Sequence, residues 1–391
     1  MNKRHFETLA IRTQVPQSEQ REHSVPLYMT SSFTFESAEQ GAAMFKGEES
    51  GHLYSRYGNP NTEELVNKLS LMEQAETGIV TASGMAAVYT SFAAFLGNKD
   101  HIIVSKSIFG NSKYILNHFL PDRGIEVTYV DCQDTEGWKS AFQSNTKMLF
   151  IETPANPTLT TVDMTFLGNL CKSHDVIFSV DNCFATPYLQ QPVRFGADLI
   201  IHSATKYIDG QGRVLGGAIL GSEALITQCE NYLRRTGASL SPFNAWVLSK
   251  SLETLAIRMD RHCSNALTLA EYLQTQPDID YVIYPHLENN PLYEIARRQM
   301  SQGGGLVGCQ INGGAERGAK FLNALRMHTL TANLGDTRSI ATHPASTTHS
   351  KLSSEEQLAV DITPGYLRFS VGLEHIDDII TDIDQALNAT R

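Results

Sequence analysis

The sequence has 391 residues, of which 41% are hydrophobic and 19% charged, and its 31 Lys and Arg against 42 Asp and Glu give a formal net charge of −11. That length predicts two or three domains, because one compact core stops growing before it. The acidic balance argues against a broad nucleic-acid or anionic-membrane surface, since both need a basic footprint. We therefore expect neither nucleic acid nor a membrane as a partner.

Cysteine usage favours a reducing, cytoplasmic location. The six cysteines stand singly, without a Cys-x-x-Cys pair, at positions 132, 171, 183, 229, 263 and 309. This spacing disfavours a disulfide framework or a zinc knuckle. No apolar run reaches about 18 residues, and the basic residues after Met1 are not followed by an apolar core, so neither a membrane span nor a secretory signal is expected.

The first part of the chain, residues 1–55, predicts an extended arm with one short helix. It lacks a sustained apolar period and carries Pro16, Pro26 and the polar run 17–22. An amphipathic helix is predicted next, from Thr62 to Ala75.

Residues 56–250 predict a large α/β domain. Short runs that are apolar throughout alternate with helical patterns, which is typical of a mainly parallel sheet covered on both faces. The predicted strands are 78–81, 101–104, 126–130, 147–151, 176–180 and 198–202, with a further glycine-rich strand at 216–221.

The last part, residues 251–391, predicts a smaller α+β domain. Helical spacing from Pro242 to Gln274 leads into it. Predicted strands at 281–284, 306–309 and 366–370 then precede a final helix at 376–387.

Three predicted strand ends carry residues capable of chemistry, and in parallel sheets ligands bind at those ends. The turn at Ser83, Gly84 and Met85 opens a helix, so its N–H groups could hold an anion. Asp181 and Lys206 each follow a buried strand. Taken singly, the ordinary interpretations are a tight turn, a helix cap and a solvated surface charge.

Taken together, these groups match the needs of pyridoxal phosphate. That cofactor requires a lysine to bind its aldehyde, an acid to keep its pyridine nitrogen protonated, and a cradle for its phosphate. Asp181 and Lys206 lie 25 residues apart, the length of one strand–helix–strand step. We therefore expect them on neighbouring or nearby strands.

Competing motifs are weaker. The string at 210–215 breaks a dinucleotide fingerprint at its third glycine, and no phosphate-loop string occurs, which disfavours a nicotinamide-dependent oxidoreductase. His343 and His349 are six residues apart, which does not fit a helical metal pair, so we expect ordinary hydrogen-bonded histidines and no metal.

An ordered set of motifs resembles the pyridoxal-phosphate enzymes of cysteine and methionine metabolism, which share the aminotransferase-like fold, type I. That family includes cystathionine γ-synthase, cystathionine γ-lyase, methionine γ-lyase and the O-acylhomoserine sulfhydrylases. The matching segments span nearly the whole chain: Tyr54–Pro60, Ser83–Ala87, Glu152–Pro157, Val180–Asn182, His202–Tyr207, Asn333–Asp336 and Arg368–Glu374.

The resemblance implies roles around the cofactor. Lys206 would carry pyridoxal phosphate and act as the catalytic residue, and Asp181 would pair with the ring nitrogen. The phosphate would be held by Gly84, Met85, Ser203 and Thr205.

The resemblance also implies a substrate site and an assembly. Arg368 matches the arginine that grips the substrate α-carboxylate, with Asn156, Asn333 and Leu334 beside it. The positions of Tyr54 and Arg56 would reach the phosphate of an adjacent subunit, so that active sites are shared within a homotetramer built as a dimer of dimers.

One position separates the members of the family. Where a tyrosine usually stacks on the cofactor ring, this chain has Phe109, which can stack but has lost the phenol, a potential proton donor. Expelling a carboxylate needs no such donor, because its conjugate acid has a pKa near about 4. The string at 108–112 most resembles the O-succinylhomoserine sulfhydrylases, although neutral drift at an aromatic position stays an alternative.

The expected reaction is therefore γ-replacement, in which O-succinylhomoserine or O-acetylhomoserine and sulfide give homocysteine for methionine biosynthesis. The alternatives are a cystathionine γ-synthase using cysteine, a γ-lyase acting on methionine or cystathionine, and a cofactor-binding protein without catalysis. The sequence leaves open the acyl group and the thiol. A succinyl carboxylate would need a cation, for which Arg213, Lys113 and Arg338 are candidates.

Overall fold

The computed structural model describes residues 4–347, 353–358 and 362–391 and builds them around two β-sheets. The first sheet, in that part of the chain, contains strands β1 (Thr77–Thr81), β2 (His101–Ser105), β3 (Glu126–Val130), β4 (Thr146–Glu152), β5 (Ile177–Asp181), β6 (Leu199–Ser203) and β7 (Gly217–Gly221). Their spatial order is β1-β7-β6-β5-β4-β2-β3. Among them β7 alone runs against the others, so the mainly parallel sheet is confirmed.

The N-terminal arm differs from its prediction. It contains two short helices among the described residues, α1 (Phe6–Arg12) and α2 (Ala38–Lys46), where the sequence predicted one. Start and stop signals for α2 were present: Ser37 caps its first turn by accepting from Gln40 N, and Gly47 ends it in the left-handed conformation. The prediction rested on periodicity, which gives such local signals no weight, and it therefore counted one helix too few.

Helices cover both faces of the large sheet. The helices in this part of the chain are α3 (Pro60–Glu73), α4 (Gly84–Ala93), α5 (Gly110–Tyr114), α6 (Thr135–Ser140), α7 (Met164–His174), α8 (Thr186–Leu189), α9 (Glu223–Thr236), α10 (Pro242–Leu252) and α11 (Leu255–Gln274), the last of which packs on the second sheet. Successive strand residues point to opposite faces of the sheet and so belong to two apolar clusters. Ile103 and Leu149 lie in one cluster, and Ile102 and Phe150 lie in the other. All four are fully buried, as strands covered on both faces require.

A buried ion pair within α3 is hydrogen-bonded to α10. Lys68 Nζ lies 3.2 Å from Glu64 Oε1, and both side chains are almost fully buried. The Glu64 carboxylate also accepts a hydrogen bond from Ser249 Oγ at 2.6 Å, and it receives the backbone N–H of Val15 from the arm at 3.4 Å. Removing one partner would leave an uncompensated buried charge, so this contact fixes both helices.

The second sheet follows these helices. In the described ranges it contains β8 (Ile279–Ile283), β9 (Leu306–Ile311), β10 (Thr329–Leu330), β11 (Ile340–Thr342) and β12 (Tyr366–Ser370), in the order β10-β11-β12-β9-β8. Its helices are α12 (Tyr293–Gln299), α13 (Gly314–Ala324), α14 (Ser354–Leu358) and α15 (Ile376–Ala389). The three predicted strands are present, whereas the short β10 and β11 were not predicted. The division at residue 250 stays a prediction, and that residue lies within α10.

The two histidines considered as a metal pair differ in what the structure describes. The His343 ring lies 2.8 Å from Ser346 Oγ and 2.7 Å from the Pro364 carbonyl oxygen, as expected of a hydrogen-bonded histidine. His349 lies outside the described residues.

Among the described residues, none of the helices is both long and apolar enough to cross a bilayer.

A carboxylate on α15 holds the turn that leads into β10. Asp382 accepts backbone hydrogen bonds from Arg326, Met327 and His328 at 2.8–3.0 Å, and the His328 ring lies 2.7 Å away. Burial raises the pKa of Asp382, but these hydrogen bonds, that of the His328 ring foremost, outweigh it and lower the pKa to about 2.

We expect Asp382→Asn to lower the free energy of unfolding by about 2 kcal/mol at neutral pH, because an amide offers one acceptor where the carboxylate offers two. Since the pKa of the folded carboxyl is depressed, its contribution is present above about pH 4 and is lost as the pH falls towards about 2. Urea unfolding of both proteins at several pH values measures this, with the exposed Asp378→Asn on the same helix as the control. A stability difference that stays constant between about pH 6 and pH 3 would contradict it.

Candidate active site

The carboxyl ends of neighbouring strands open into one cavity of about 260 Å³. Asp181 ends β5, and Lys206 follows β6, its neighbour in the sheet. Ten of the residues predicted for the site line this cavity: Gly84, Met85, Phe109, Asn156, Asp181, Ser203, Thr205, Lys206, Leu334 and Arg368. The structure thus brings together residues that are separated by up to 284 positions in the sequence.

The start of α4 forms one end of the cavity. Ser83 caps the helix, its Oγ accepting from Ala86 N at 3.1 Å. The N–H groups of Gly84 and Met85, in the first turn, have no intrahelical partners and present the positive end of the helix dipole. A Cβ on Gly84 would lie 2.6 Å from Ser203 Cβ, so the close approach of helix and strand requires glycine there.

The Asp181 carboxyl lies in the wall of the cavity and is 9% exposed. Its Oδ1 accepts from Cys183 N at 3.0 Å. Burial raises the pKa of Asp181 to about 6, against the effects of that hydrogen bond and of His202. At neutral pH the group is therefore mostly ionised and able to pair with a protonated ring nitrogen.

The Lys206 amine is held at the other side. Its Nζ donates to Asn333 Oδ1 at 2.8 Å, so Asn333, which was predicted as a substrate-site residue, contacts the lysine directly. Burial lowers the pKa of Lys206, and the nearby Arg368 charge lowers it further. A depressed pKa increases the fraction of the amine in its neutral, nucleophilic form.

The second sheet supplies the cation of the cavity. Arg368 lies in β12, is 2% exposed, and donates from Nη1 to Asn156 Oδ1 at 2.6 Å. Its Nη2 is 3.4 Å from the Asn333 carbonyl oxygen, and its buried Nε has no partner among the described residues. A planar guanidinium with a spare donor is suited to a carboxylate ligand.

Sequence reasoning missed Glu152. This residue ends β4 beside Asp181 in the sheet register, is 3% exposed, and lines the same cavity. It accepts the backbone N–H groups of Phe109 at 2.7 Å and Asn156 at 2.9 Å. The rule that selected Asp181, a polar residue directly after an apolar strand, would also have selected Glu152.

Three of the predicted residues are not part of the cavity lining: Asn333, described above, and two others. Tyr54 and Arg56 do not line the cavity of their own chain. Arg56 donates to the Arg234 carbonyl oxygen and lies over the Tyr57 ring at 4.7 Å, and Tyr54 is 42% exposed. Their role toward an adjacent subunit stays a prediction.

The three cations considered for a distal carboxylate also lie outside the cavity lining. Arg213 Nη2 is 3.0 Å from Asp209, and Arg338 Nε is 2.9 Å from Asp336, so both are paired with acids of this chain. Lys113 Nζ lies 5.7 Å from the centre of the Tyr129 ring. Lys206 and Arg368 are the only Lys or Arg residues lining the cavity in the described part of the chain.

The donor set fits pyridoxal phosphate. An amine of depressed pKa, a carboxylate, a helix start cleared by Gly84 and an aromatic side chain face one cavity. These are the groups that the aldehyde, pyridine nitrogen, phosphate and ring of this cofactor require. We propose these pairings for Lys206, Asp181, Gly84 and Phe109.

Comparison with known proteins agrees with the cavity chemistry. The sequence model of the Cys/Met metabolism PLP-dependent enzyme family matches residues 7–388. The chain is 42% identical to an O-succinylhomoserine sulfhydrylase of Pseudomonas aeruginosa over 98% of its length and 95% of the relative. It is equally similar, at 42% identity over 93% of each chain, to an L-methionine gamma-lyase of Fusobacterium nucleatum.

A solved structure extends the similarity to the fold. A Campylobacter jejuni protein, provisionally assigned as an O-acetylhomoserine (thiol)-lyase, superposes with a TM-score of 0.95 at 34% identity, over 98% of this chain and 100% of that one. It carries N'-pyridoxyl-lysine-5'-monophosphate, a lysine joined to the cofactor. The large domain and the smaller α+β part therefore have the type I fold of pyridoxal-phosphate enzymes.

We expect borohydride treatment of the protein with pyridoxal phosphate to attach the pyridoxyl group to Lys206, because its amine lines the cavity, is partly buried and is lowered in pKa. Peptide mass spectrometry identifies the labelled residue. Lys206→Ala should lose the label, whereas Lys106→Ala, at an exposed lysine following β2, should retain it. Stoichiometric labelling of another lysine in the wild-type protein would contradict this assignment.

Proposed function

Because the chain belongs to the Cys/Met metabolism PLP-dependent enzymes, we propose that it catalyses γ-replacement on an O-acylhomoserine. O-Succinylhomoserine and sulfide would give homocysteine and succinate, with O-acetylhomoserine as the other acyl substrate considered. The observation that carries this choice is that Phe109 lines the cavity at the position where the family usually has a tyrosine, so its phenol is absent.

Substrate binding would centre on Arg368. Its guanidinium is buried, is oriented by Asn156 and keeps a free Nε donor, so it can hold the α-carboxylate of an amino acid. The α-amino group would then lie towards Lys206, which is linked to Arg368 through Asn333. Leu334, 2% exposed, provides an apolar part of the wall.

Proton transfer would fall to Lys206. Its amine must be neutral to remove a proton from the substrate α-carbon, and it must release that proton before it can remove one from the β-carbon. Burial favours the neutral form. Asp181 would keep a proton on the ring nitrogen of the cofactor. When bound, pyridoxal phosphate supplies a ring that accepts the electrons released at the α-carbon.

The leaving group decides the need for a proton donor. A carboxylate leaves without protonation, because its conjugate acid has a pKa of about 4, whereas a thiolate leaves more readily when it is protonated. Phe109 offers stacking area but no proton. This supports an ester substrate over methionine or cystathionine.

A γ-lyase acting on methionine is the second candidate. The similarity to the Fusobacterium nucleatum L-methionine gamma-lyase equals that to the Pseudomonas aeruginosa sulfhydrylase, at 42% identity each. The positively charged residues of the cavity also bear on the choice between ester and methionine. Lys206 and Arg368 are the only Lys or Arg residues of the described chain that line the cavity, and Arg368 is assigned to the α-carboxylate. A succinyl carboxylate would then require a cation from a second copy.

We further propose that the protein is a cytoplasmic homotetramer, built as a dimer of dimers. Its arm exposes apolar side chains, Met29 at 68% and Phe45 at 65%, which a second copy could cover. Tyr54 and Arg56 lie outside their own cavity, as residues that serve an adjacent subunit would. Light scattering measures the mass of the assembly, and a monomer would contradict this proposal.

A substrate panel tests the proposed reaction. Purified protein is supplied with O-succinyl- or O-acetylhomoserine, each with sulfide or cysteine, and separately with methionine or cystathionine alone. We expect homocysteine from succinylhomoserine and sulfide to be the fastest product by kcat/KM. Cystathionine as the main product would indicate a synthase, and 2-oxobutyrate from methionine at a higher kcat/KM would indicate a lyase.

The role of Phe109 has its own test. We expect Phe109→Tyr to raise 2-oxobutyrate formation from methionine by about tenfold or more, because the phenol can donate a proton to the leaving thiolate. Turnover of the ester should change little. Phe109→Leu, which removes the ring without adding a donor, is the control, and an unchanged rate with methionine in Phe109→Tyr would remove the reason for preferring an ester.

A further inference from the structure

Glu152 is a buried carboxyl group to which the mechanism above assigns no task. It ends β4, is 3% exposed, and lies beside Asp181 in the register of the parallel strands. Burial raises the pKa of Glu152 well above its ordinary value, and the neighbouring Asp181 charge raises it further. A second acid in this place is costly for the fold, so its retention needs a reason.

The hydrogen bonds of Glu152 go to two separate loops. Oε2 accepts the Phe109 N–H at 2.7 Å, and Oε1 accepts the Asn156 N–H at 2.9 Å. Its described partners are thus backbone groups of residues 43 positions before it and four after it. One carboxyl group joins the loop after β2 to the loop after β4.

Each of these loops carries a side chain of the cavity. The first places the Phe109 ring in the wall. The second places Asn156, whose Oδ1 accepts from Arg368 Nη1 at 2.6 Å. The distance between the Phe109 ring and the Arg368 guanidinium therefore depends on where Glu152 holds the backbones of the two loops.

We propose that Glu152 is a positioning residue, whose two carboxyl oxygens fix the Phe109 loop and the Asn156–Arg368 pair at the separation that cofactor ring and substrate carboxylate require together. This rests on the proposed function in that Arg368 binds the α-carboxylate. The alternative is a carboxyl group that only stabilises the core.

Glu152→Gln separates these two roles. The amide has the same shape but one acceptor oxygen, so one of the two backbone N–H groups faces an NH₂ group and loses its bond. We expect the apparent Kd for O-succinylhomoserine, read without sulfide from the change in cofactor absorbance, to rise by tenfold or more. The Kd for pyridoxal phosphate, measured by equilibrium dialysis of the apoprotein, should rise as well.

Glu64→Gln is the matched control, because Glu64 is equally buried, is hydrogen-bonded to Ser249 and does not line the cavity. It should lower the Tm without changing either Kd by more than about twofold. If Glu152→Gln also lowered only the Tm, the positioning role would be overturned in favour of core stabilisation.

Glu152→Asp covers the case in which the glutamine variant does not fold. It keeps two acceptor oxygens but is one methylene shorter, so it cannot reach both loops without moving them. A tenfold rise in the Kd for O-succinylhomoserine supports the proposal, and wild-type values overturn it. Binding without turnover in the wild-type protein would contradict the proposed reaction while leaving this test of Glu152 intact.

Discussion

Four ionisable groups around one cavity, two acids and two bases, are the constraint on which the rest of the site depends. Glu152, Asp181 and Arg368 are buried, and Lys206 is partly buried. Glu152 and Asp181 bond to backbone N–H groups, whereas Lys206 and Arg368 bond to amide and carbonyl oxygens. Their hydrogen-bond partners are therefore neutral. The Arg368 charge therefore stays available to a ligand carboxylate, and the Asp181 charge to a protonated ring nitrogen.

The fold explains how these groups are held apart and yet face each other. Glu152 and Asp181 end neighbouring parallel strands and Lys206 follows the next one, and the carboxyl ends of these strands lie at one edge of the sheet. Arg368 arrives from β12 of the second sheet, where strand burial leaves its guanidinium little freedom. Asn333 joins the two sheets by contacting both bases, so the packing of the smaller sheet sets the position of the amine.

The sequence predicted the parts that depend on local pattern and missed those that depend on register. The apolar runs located the strands of the large sheet, and the polar residues after them located Asp181 and Lys206. Two-residue and three-residue strands such as β10 and β11 carry too little pattern to be recognised. The Lys206–Asn333 hydrogen bond joins residues 127 positions apart, which no local pattern indicates. The role of Glu152 likewise depends on two hydrogen bonds to loops that only the folded chain brings together.

Substrate choice depends on a smaller set of groups than family membership does. The shared fold and cofactor need the lysine, the acid and the helix start, and these are compatible with replacement and elimination alike, as the equal 42% identities to a sulfhydrylase and a lyase illustrate. In the proposed reaction, discrimination would lie in the groups that meet the γ-substituent. Phe109 and Leu334 line the cavity and offer apolar area but no proton, which would favour leaving groups that are stable as anions. Under that proposal the chemistry of the leaving group, more than the binding of the amino-acid carboxylate, would decide which substrate the cavity selects.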